Sequence, residues 1–210
     1  METKHGIEGL YAVTPDITDT EELLRCVRRA LQGGARVLQY RNKSADAGLQ
    51  LQQAQALRQL THEFNTTFIV NDDAQLAAQA GADGVHLGGK DGSVAAARAL
   101  LGKAGIIGVS CYNRASLAFE AVRQGADYVA FGAFFSSGVK PEAVQAEVEL
   151  LQTMRQQLHL PIVAIGGITQ QNGAALVAAG ADALAVISAL WNAPDIKAAA
   201  QGFSTLFSRT

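Results

Sequence analysis

The chain has 210 residues, of which 17 are basic and 19 acidic, so its formal net charge is only −2. No basic run is longer than Arg28-Arg29, and no apolar run approaches the ~18 residues needed to span a bilayer, which argues against binding to nucleic acid or membranes. The two cysteines, Cys26 and Cys111, suggest neither a disulfide framework nor a zinc site. We therefore expect a cytoplasmic protein that acts on small molecules. Its oligomeric state, a homodimer included, is left open.

Short apolar segments alternate with Ala-, Leu- and Gln-rich helical segments along the whole chain. The apolar segments are continuous, as expected for strands that are covered on both faces. We predict strands at 10–13, 37–40, 67–70, 84–87, 106–109, 128–131, 162–165 and 184–187, and helices at 20–32, 46–64, 73–80, 93–102, 114–124, 143–158, 170–179 and 195–207. This order predicts an α/β fold, a single-domain (β/α)8 TIM barrel over 1–210 with its site at the C-terminal rim of the strands.

An internal repeat supports the barrel. Gly-Ala-Asp recurs at 81–83, 125–127 and 180–182, and Gly-Ala-Arg at 34–36 is a looser copy. Each copy lies between a predicted helix and strand, so the pattern places Asp83, Asp127 and Asp182 at the N-terminal ends of strands. That end of a TIM barrel serves stability, and we exclude these three carboxylates from the site.

Two other carboxylates follow the C-terminal ends of neighbouring strands. Asp72 comes after the strand at 67–70, and Asp91 follows the strand at 84–87. Two close carboxylates repel each other unless a cation neutralises them, and oxygen ligands suit Mg²⁺. Capping of the following helix by Asp72 or Asp73 explains these residues equally well, so both interpretations stay open.

Three cations, Arg41, Lys43 and Lys140, also fall on the predicted rim. Together with the two carboxylates and several small polar groups, they predict a site for a polyanion and Mg²⁺. The alternative is an exposed strand end for Arg41 and Lys43, and an ordinary loop residue for Lys140.

A second anion site is predicted after the seventh and eighth strands, where Gly166-Gly167 and Ser188 lie. Loops at these positions often bind phosphate in TIM barrels, although a plain tight turn also explains the glycines. His86 lies inside an apolar strand and is expected to be a satisfied core residue. Cys111 has no predicted base beside it, which argues against a nucleophilic role.

Several stretches, in order, match one family. They are QYRNK at 39–43, ND at 71–72, DGVHLGGKD at 83–91, IGVSCYN at 107–113, ADYVAFGAFF at 126–135, Lys140, and AIGGI at 164–168. On these the chain resembles the thiamine-phosphate synthases along nearly its whole length. The resemblance implies a transferase that joins a hydroxymethylpyrimidine diphosphate to a thiazole phosphate, giving thiamine phosphate and pyrophosphate.

The resemblance also implies roles for individual residues. Catalytic roles fall to Arg41, Lys43, Ser110 and Lys140, and Mg²⁺ ligation falls to Asp72 and Asp91. The pyrimidine diphosphate would be bound by Gln39, Tyr40, Arg41, Asn42, Lys43, Asn71, Ser110 and Lys140. The thiazole phosphate would be bound by Ser137, Gly138, Val139, Gly167, Ile187 and Ser188.

The sequence departs from the family pattern in two places. Ser137-Gly138-Val139 stands where a Thr-x-Thr usually precedes the loop lysine, so one hydroxyl is lost at Val139. Lys90 replaces an acidic residue beside Asp91.

Three other functions compete with the synthase. A thiazole tautomerase of the same superfamily would lack the second carboxylate and carry a histidine where Ala133 stands. A Schiff-base aldolase would use Lys140 or Lys43. A non-catalytic paralogue would bind thiamine phosphate without turning substrates over.

Overall fold

The computed structural model describes residues 6–89, 91–136 and 144–208. Eight parallel strands close into one barrel in chain order, with β1 paired to β8. The strands are β1 (Gly9–Val13), β2 (Val37–Tyr40), β3 (Thr67–Asn71), β4 (Gly84–Leu87), β5 (Ile106–Tyr112), β6 (Tyr128–Phe131), β7 (Ile162–Ile165) and β8 (Ala183–Val186). The helices are α1 (Thr20–Gln32), α2 (Ala47–Glu63), α3 (Ala74–Ala80), α4 (Val94–Leu101), α5 (Ala115–Arg123), α6 (Val148–Gln157), α7 (Gln170–Ala178), α8 (Ser188–Trp191) and α9 (Ile196–Thr205). The predicted TIM barrel is confirmed.

Alternation along each strand divides the apolar side chains between two cores. One set points into the barrel and includes Tyr11, Ile69 and Tyr128. The other set, with Phe68 and Val85 among it, packs between the sheet and the helices. Because both faces of each strand are buried, nearly every strand position has to be apolar, which explains the continuous runs in the sequence.

The three repeated aspartates fasten the N-terminal end of the barrel. Each aspartate accepts a hydrogen bond from a backbone N–H at the start of the strand that precedes it in the sequence. Each also forms an ion pair with an arginine of a helix. The Asp83 carboxylate accepts from Phe68 N at 2.8 Å and lies 3.1 Å from Arg58 Nη1. The same clasp recurs with Ile107 N and Arg98 around Asp127, and with Ile162 N and Arg155 around Asp182. This geometry explains why the repeat ends in aspartate.

The fourth copy of the repeat has Arg36 in place of the aspartate, and helix α9 packs there instead. Ser204 Oγ lies within hydrogen-bond distance of the backbone oxygens of Gly33 and Gly34, at 3.1 and 3.2 Å. A Cβ on Gly33 would lie 2.5 Å from Lys197 O, so only glycine lets α1 and α9 approach this closely.

The structure differs from the sequence prediction at a few element ends. Helix α8 was not predicted, β5 extends three residues further to Tyr112 through a register shift, and β8 ends at Val186, before Ile187. The predicted helix at 143–158 starts too early, because residues 144–147 are not helical and the helix runs from Val148 to Gln157. The loop residues Ser137, Gly138, Val139 and Lys140 lie outside the described residues. Among the described residues, no helix has the length and apolarity required to cross a membrane.

Candidate active site

The rim after β2 carries two of the predicted cations. Asp16 holds the Arg41 side chain and the Lys43 backbone, because its Oδ1 accepts from Arg41 Nη1 at 3.1 Å and from Lys43 N at 3.0 Å. Thr14 Oγ1 accepts from Arg41 N and donates to Arg41 O, both at 2.8 Å. The loop is therefore tied to the end of β1 before any ligand is present. Sequence reasoning missed Asp16, although its position after an apolar strand was a usable signal.

Tyr40 and Asn42 bond to helix α2 and to the loop that precedes α1. The Tyr40 hydroxyl donates to Gln53 Oε1 at 2.8 Å, and the Asn42 amide donates to Gln53 Oε1 and to Ile17 O. Both side chains are buried against α2. Both residues nevertheless line the same cavity as Arg41 and Lys43, and their binding roles stay predictions.

Asp73 is the residue that caps helix α3. Its carboxylate accepts from the backbone N–H groups of Gln75 and Leu76. Asp72 takes no part in the cap, and its backbone has φ +63, a conformation that L-residues rarely adopt. Asp73 therefore caps the helix, and the Asp72 side chain remains available at the rim.

Asp72 and Asp91 lie in contact across the β3 and β4 ends. Gly88 N donates to Asp91 Oδ2 at 3.0 Å. A Cβ on Gly88 would lie 2.5 Å from that oxygen and 3.9 Å from Asp72 Oδ1, so glycine leaves the space that the two carboxylates share. Partial burial, and then the hydrogen bond and charge of Asp91, raise the pKa of Asp72, while Lys43 opposes the shift.

Of the two carboxylates, Asp72 opens onto a small cavity. It has a volume of about 160 Å³ and is lined by Arg41, Lys43, Asn71 and Asp72, among others. Cations and a carboxylate thus share one cavity wall. Such a wall can hold a polyanion directly through the cations, and through a divalent cation at the carboxylates.

Ser110 lies on β5 and faces the barrel interior. Its Oγ is 2.9 Å from His86 Nε2, and His86 Nδ1 is 2.9 Å from the Tyr128 hydroxyl. Burial lowers the pKa of His86 to about 4, so the imidazole is neutral at neutral pH. The prediction that His86 is a satisfied core residue is consistent with these bonds. The thiol of Cys111 is buried, and its pKa is raised to about 12 by burial, which agrees with an inert cysteine.

The loops after β6 and β7 are joined by backbone hydrogen bonds. Phe134 N donates to Ile165 O, and Phe135 N donates to Gly166 O. A Cβ on Gly167, whose φ is +61, would lie 2.6 Å from the carbonyl oxygens of both Phe135 and Ser136. Gly167 is thus required for this close approach, beyond the role in a plain turn.

Helix α8 begins at Ser188, directly after Ile187. The first N–H groups of any helix have no partner within it and attract anions. A short extra helix after the eighth strand is a recurring part of phosphate sites in TIM barrels. The structure therefore brings Ile187 and Ser188 to the same rim as Gly167.

Comparison with known proteins decides the family. The family model described as thiamine monophosphate synthase matches residues 10–190. The chain belongs to the thiamine monophosphate synthase family. It is therefore an enzyme of the transferase class, as the sequence resemblance implied.

Relatives that carry the thiamine-phosphate synthase name are similar over nearly their whole lengths. The protein of Methylobacillus flagellatus is 54% identical over 209 residues, which cover 98% of this chain and 100% of the relative. The protein of Nitrosospira multiformis is 49% identical over 206 residues, which cover 98% of this chain and 88% of the relative.

Solved structures agree with this membership. The thiamine phosphate pyrophosphorylase of Pyrococcus furiosus superposes with a TM-score of 0.85 at 34% identity, covering 94% of each chain. Orotidine 5'-phosphate decarboxylase of Pyrococcus horikoshii superposes with a TM-score of 0.67 at 18% identity, covering 95% of this chain and 100% of that one. At that identity only the barrel fold is shared.

Proposed function

We propose that this thiamine monophosphate synthase family member condenses 4-amino-2-methyl-5-(diphosphomethyl)pyrimidine with 4-methyl-5-(2-phosphoethyl)thiazole, in a reaction that requires Mg²⁺. The products are thiamine phosphate and pyrophosphate. The observation that carries the proposal is the contact between the Asp72 and Asp91 carboxylates, of which Asp72 shares a cavity with the cations Arg41 and Lys43. A diphosphate with a bound metal ion fits this arrangement, because its oxygens can contact the cations and its metal ion can contact the carboxylates.

The donor set fits Mg²⁺. This ion is commonly bound by one or two carboxylates, with waters and substrate phosphates completing its octahedron. Asp72 and Asp91 supply the two carboxylates, and within the described residues no three His, Cys, Asp or Glu side chains converge to form a larger cluster. Bound there, Mg²⁺ would supply positive charge to the diphosphate oxygens.

The chain's own residues act on the leaving group. Arg41 offers a planar fork and Lys43 a point charge to the pyrophosphate. Lys140 is assigned to the same group by the family resemblance and lies outside the described residues. As the bond between the pyrimidine methylene and oxygen breaks, negative charge grows on the pyrophosphate. Each contact that strengthens during this step is worth roughly 2–4 kcal/mol of barrier.

The second substrate is held so that its ring nitrogen faces the pyrimidine methylene. Ile187 and Ser188 form the start of α8, and Gly167 follows the neighbouring strand β7, so backbone N–H groups of this rim can hold the thiazole phosphate. The family resemblance assigns Ser137, Gly138 and Val139, which lie outside the described residues, to the same phosphate. Anchoring the phosphate fixes the attack geometry, and such positioning replaces a strong nucleophile from the protein.

One assay tests the proposal. The protein is incubated with both substrates and Mg²⁺, and thiamine phosphate and pyrophosphate are quantified with and without EDTA. We expect both products in equal amounts, and their loss in EDTA with recovery on adding excess Mg²⁺. Full activity in EDTA would overturn the metal assignment.

The same assay separates the competing functions. Binding of thiamine phosphate without turnover would identify a non-catalytic paralogue. Isomerisation of a thiazole carboxylate phosphate without pyrophosphate release would identify a tautomerase, although Asp91 and Ala133 speak against it. Borohydride trapping of a substrate on a lysine would identify an aldolase.

A further inference from the structure

Five polar side chains form a continuous hydrogen-bonded chain through the barrel interior. Gln39 Nε2 lies 3.0 Å from the Tyr11 hydroxyl, which lies 2.8 Å from the Tyr128 hydroxyl. The chain continues from Tyr128 to His86 Nδ1 at 2.9 Å, and from His86 Nε2 to Ser110 Oγ at 2.9 Å. It therefore joins two predicted binding residues, Gln39 on β2 and Ser110 on β5, through residues that the proposed reaction does not use.

When the Gln39 amide nitrogen faces Tyr11, only one direction of hydrogen-bond donation gives every buried hydrogen along the five side chains an acceptor. The Tyr11 oxygen then accepts from Gln39, and its own hydrogen has Tyr128 as its acceptor. Tyr128 in turn donates to His86 Nδ1. A neutral imidazole with an acceptor at Nδ1 carries its hydrogen on Nε2, and that hydrogen is donated to Ser110 Oγ.

The protonation of the chain is fixed by burial. Tyr11 and Tyr128 are fully enclosed, and burial raises the pKa of both phenols. Reversing any one bond would leave a buried hydrogen without an acceptor, which folded proteins avoid. Among the residues that the structure describes, Thr67 Oγ1 is the one buried side-chain polar atom without a hydrogen-bond partner. The buried polar atoms of the five hydrogen-bonded side chains therefore all have partners.

The two ends of the hydrogen-bonded chain have opposite hydrogen-bonding character. Gln39 uses its nitrogen inward, so its Oε1 is left as an acceptor, and this oxygen makes no hydrogen bond to any described residue. Ser110 accepts from His86, so its own O–H is left as a donor. The acceptor at Gln39 and the donor at Ser110 depend on each other, because all the hydrogen bonds between them point in the same direction.

We propose that Tyr11, Tyr128 and His86 are positioning residues that impose an acceptor at Gln39 Oε1 and a donor at Ser110 Oγ, and so select the hydrogen-bonding pattern of the pyrimidine ring. This inference rests on the proposed function for the identity of the ring. A 4-aminopyrimidine offers an N–H donor and a ring-nitrogen acceptor. Its 4-oxo analogue offers the reverse, a carbonyl acceptor and a ring N–H donor, and is the wrong match.

The direction of donation is tested first without turnover. Nitrogen-15 NMR of histidine-labelled protein reports which ring nitrogen of His86 carries the hydrogen, and a His86→Gln spectrum assigns the signal. We expect only the Nε2–H tautomer in the native protein. Tyr128→Phe removes the donor to Nδ1, so a second tautomer should appear. Tyr11→Phe leaves Tyr128 able to donate to Nδ1 and should not change the tautomer. A native Nδ1–H tautomer would overturn the proposed direction.

A matched control loses a buried hydroxyl away from the chain. Thr61 Oγ1 bonds Leu57 O inside α2, so Thr61→Val should lower stability without changing the His86 signal. An unchanged tautomer in folded Tyr128→Phe would show that the chain does not set it, and would overturn the proposal.

Selectivity is tested second, as the ratio of kcat/KM for the 4-amino and 4-oxo pyrimidine diphosphates. The two substrates differ in intrinsic reactivity, but this difference is the same in every variant and cancels between them. We expect the ratio to fall roughly tenfold or more in Tyr128→Phe, and to fall in Tyr11→Phe because the Gln39 amide becomes free to turn. The ratio should stay unchanged in Thr61→Val.

The outcomes keep the two proposals separate. A native protein that makes no thiamine phosphate refutes the proposed function, while the tautomer measurement still reports on the chain. A native protein with full turnover, whose selectivity survives both tyrosine substitutions, refutes the inference alone.

Discussion

The carboxylate of Asp16 lies 3.1 Å from the guanidinium of Arg41 and also accepts from the backbone of Lys43. It thereby holds the Arg41 side chain and the backbone of Lys43 in place before the diphosphate binds. Asp16 is thus part of the site's preparation, although it carries the same charge as the proposed substrate.

Replacing Asp16 by alanine should weaken use of the pyrimidine diphosphate. Loss of this preorganisation is worth about 1 kcal/mol at a partly exposed pair, or roughly a fivefold fall in kcat/KM. Asp195→Ala is the matched control, because Asp195 likewise bridges an arginine, Arg29, and a backbone N–H, but far from the rim. Equal effects of the two substitutions on kcat/KM would contradict the role of Asp16.

Asp72→Asn should separate stability from activity. In EDTA the two carboxylates repel each other, so removing one charge should raise the free energy of unfolding by about 1 kcal/mol and the melting temperature by roughly 2–4 °C. Mg²⁺-dependent turnover should be lost. Asp73→Asn is the control, since asparagine caps a helix as well as aspartate does. A stable but fully active Asp72→Asn enzyme would refute the metal role.

His86 should make the protein less stable in mild acid. Its pKa is lowered from 6.5 to about 4 by burial, with the charge of Asp91 opposing. Below pH 6.5 the unfolded histidine binds a proton that the folded one does not, so the free energy of unfolding falls as pH drops toward 4, by roughly 3 kcal/mol at most. Urea unfolding across this range should show a shallower pH dependence in His86→Gln. Parallel curves for the two proteins would contradict the lowered pKa.

The aspartate clasps should serve stability and not turnover. Asp83→Asn, Asp127→Asn and Asp182→Asn each lose an ion pair that is partly shielded from solvent. We expect each to lower the free energy of unfolding by about 1–2 kcal/mol, with unchanged kcat at saturating substrates. Glu63→Gln, which breaks the exposed pair with Arg28, should change little. A large loss of kcat in a well-folded clasp variant would mean that these carboxylates reach the site.

Lys140→Ala should slow turnover more than it weakens thiazole phosphate binding. The lysine is assigned to the departing pyrophosphate, whose charge grows during the reaction, and such contacts act on kcat. Steady-state kinetics with each substrate varied in turn tests this. Lys103→Ala is the control, because Lys103 lies just before β5, at the opposite end of the barrel. An effect confined to the thiazole phosphate KM would place Lys140 at the other anion.

The strands were predictable because burial on both faces leaves a continuous apolar run that ends at polar rim residues. For the apolar run at 128–131, the predicted and observed strand bounds coincide. The eighth strand was placed one residue late, because Ala183 is as compatible with a loop as with a strand. Helix α8 was missed because four residues show no helical period.

Side-chain direction was the weaker part of the site prediction. Tyr40 and Asn42 were included with Gln39 and Arg41 because they form one motif, and the sequence did not show that both would bond to Gln53 of α2. Tyr11 and Tyr128 were counted only as strand residues. Their hydroxyls meet across the barrel from strands that are not neighbours in the sheet, and no local pattern in the sequence reports such a meeting.

The packing of α9 against Gly33 and Gly34 has a consequence for synthesis on the ribosome. The strand that closes the barrel, β8, and the helix that replaces the missing clasp are both made last. Until then the outer edges of β1 and β7 have no partner strand, and such edges invite association with other chains. We expect nascent chains that lack residues 183–205 to depend on chaperones. This dependence should end once α9 has left the ribosome.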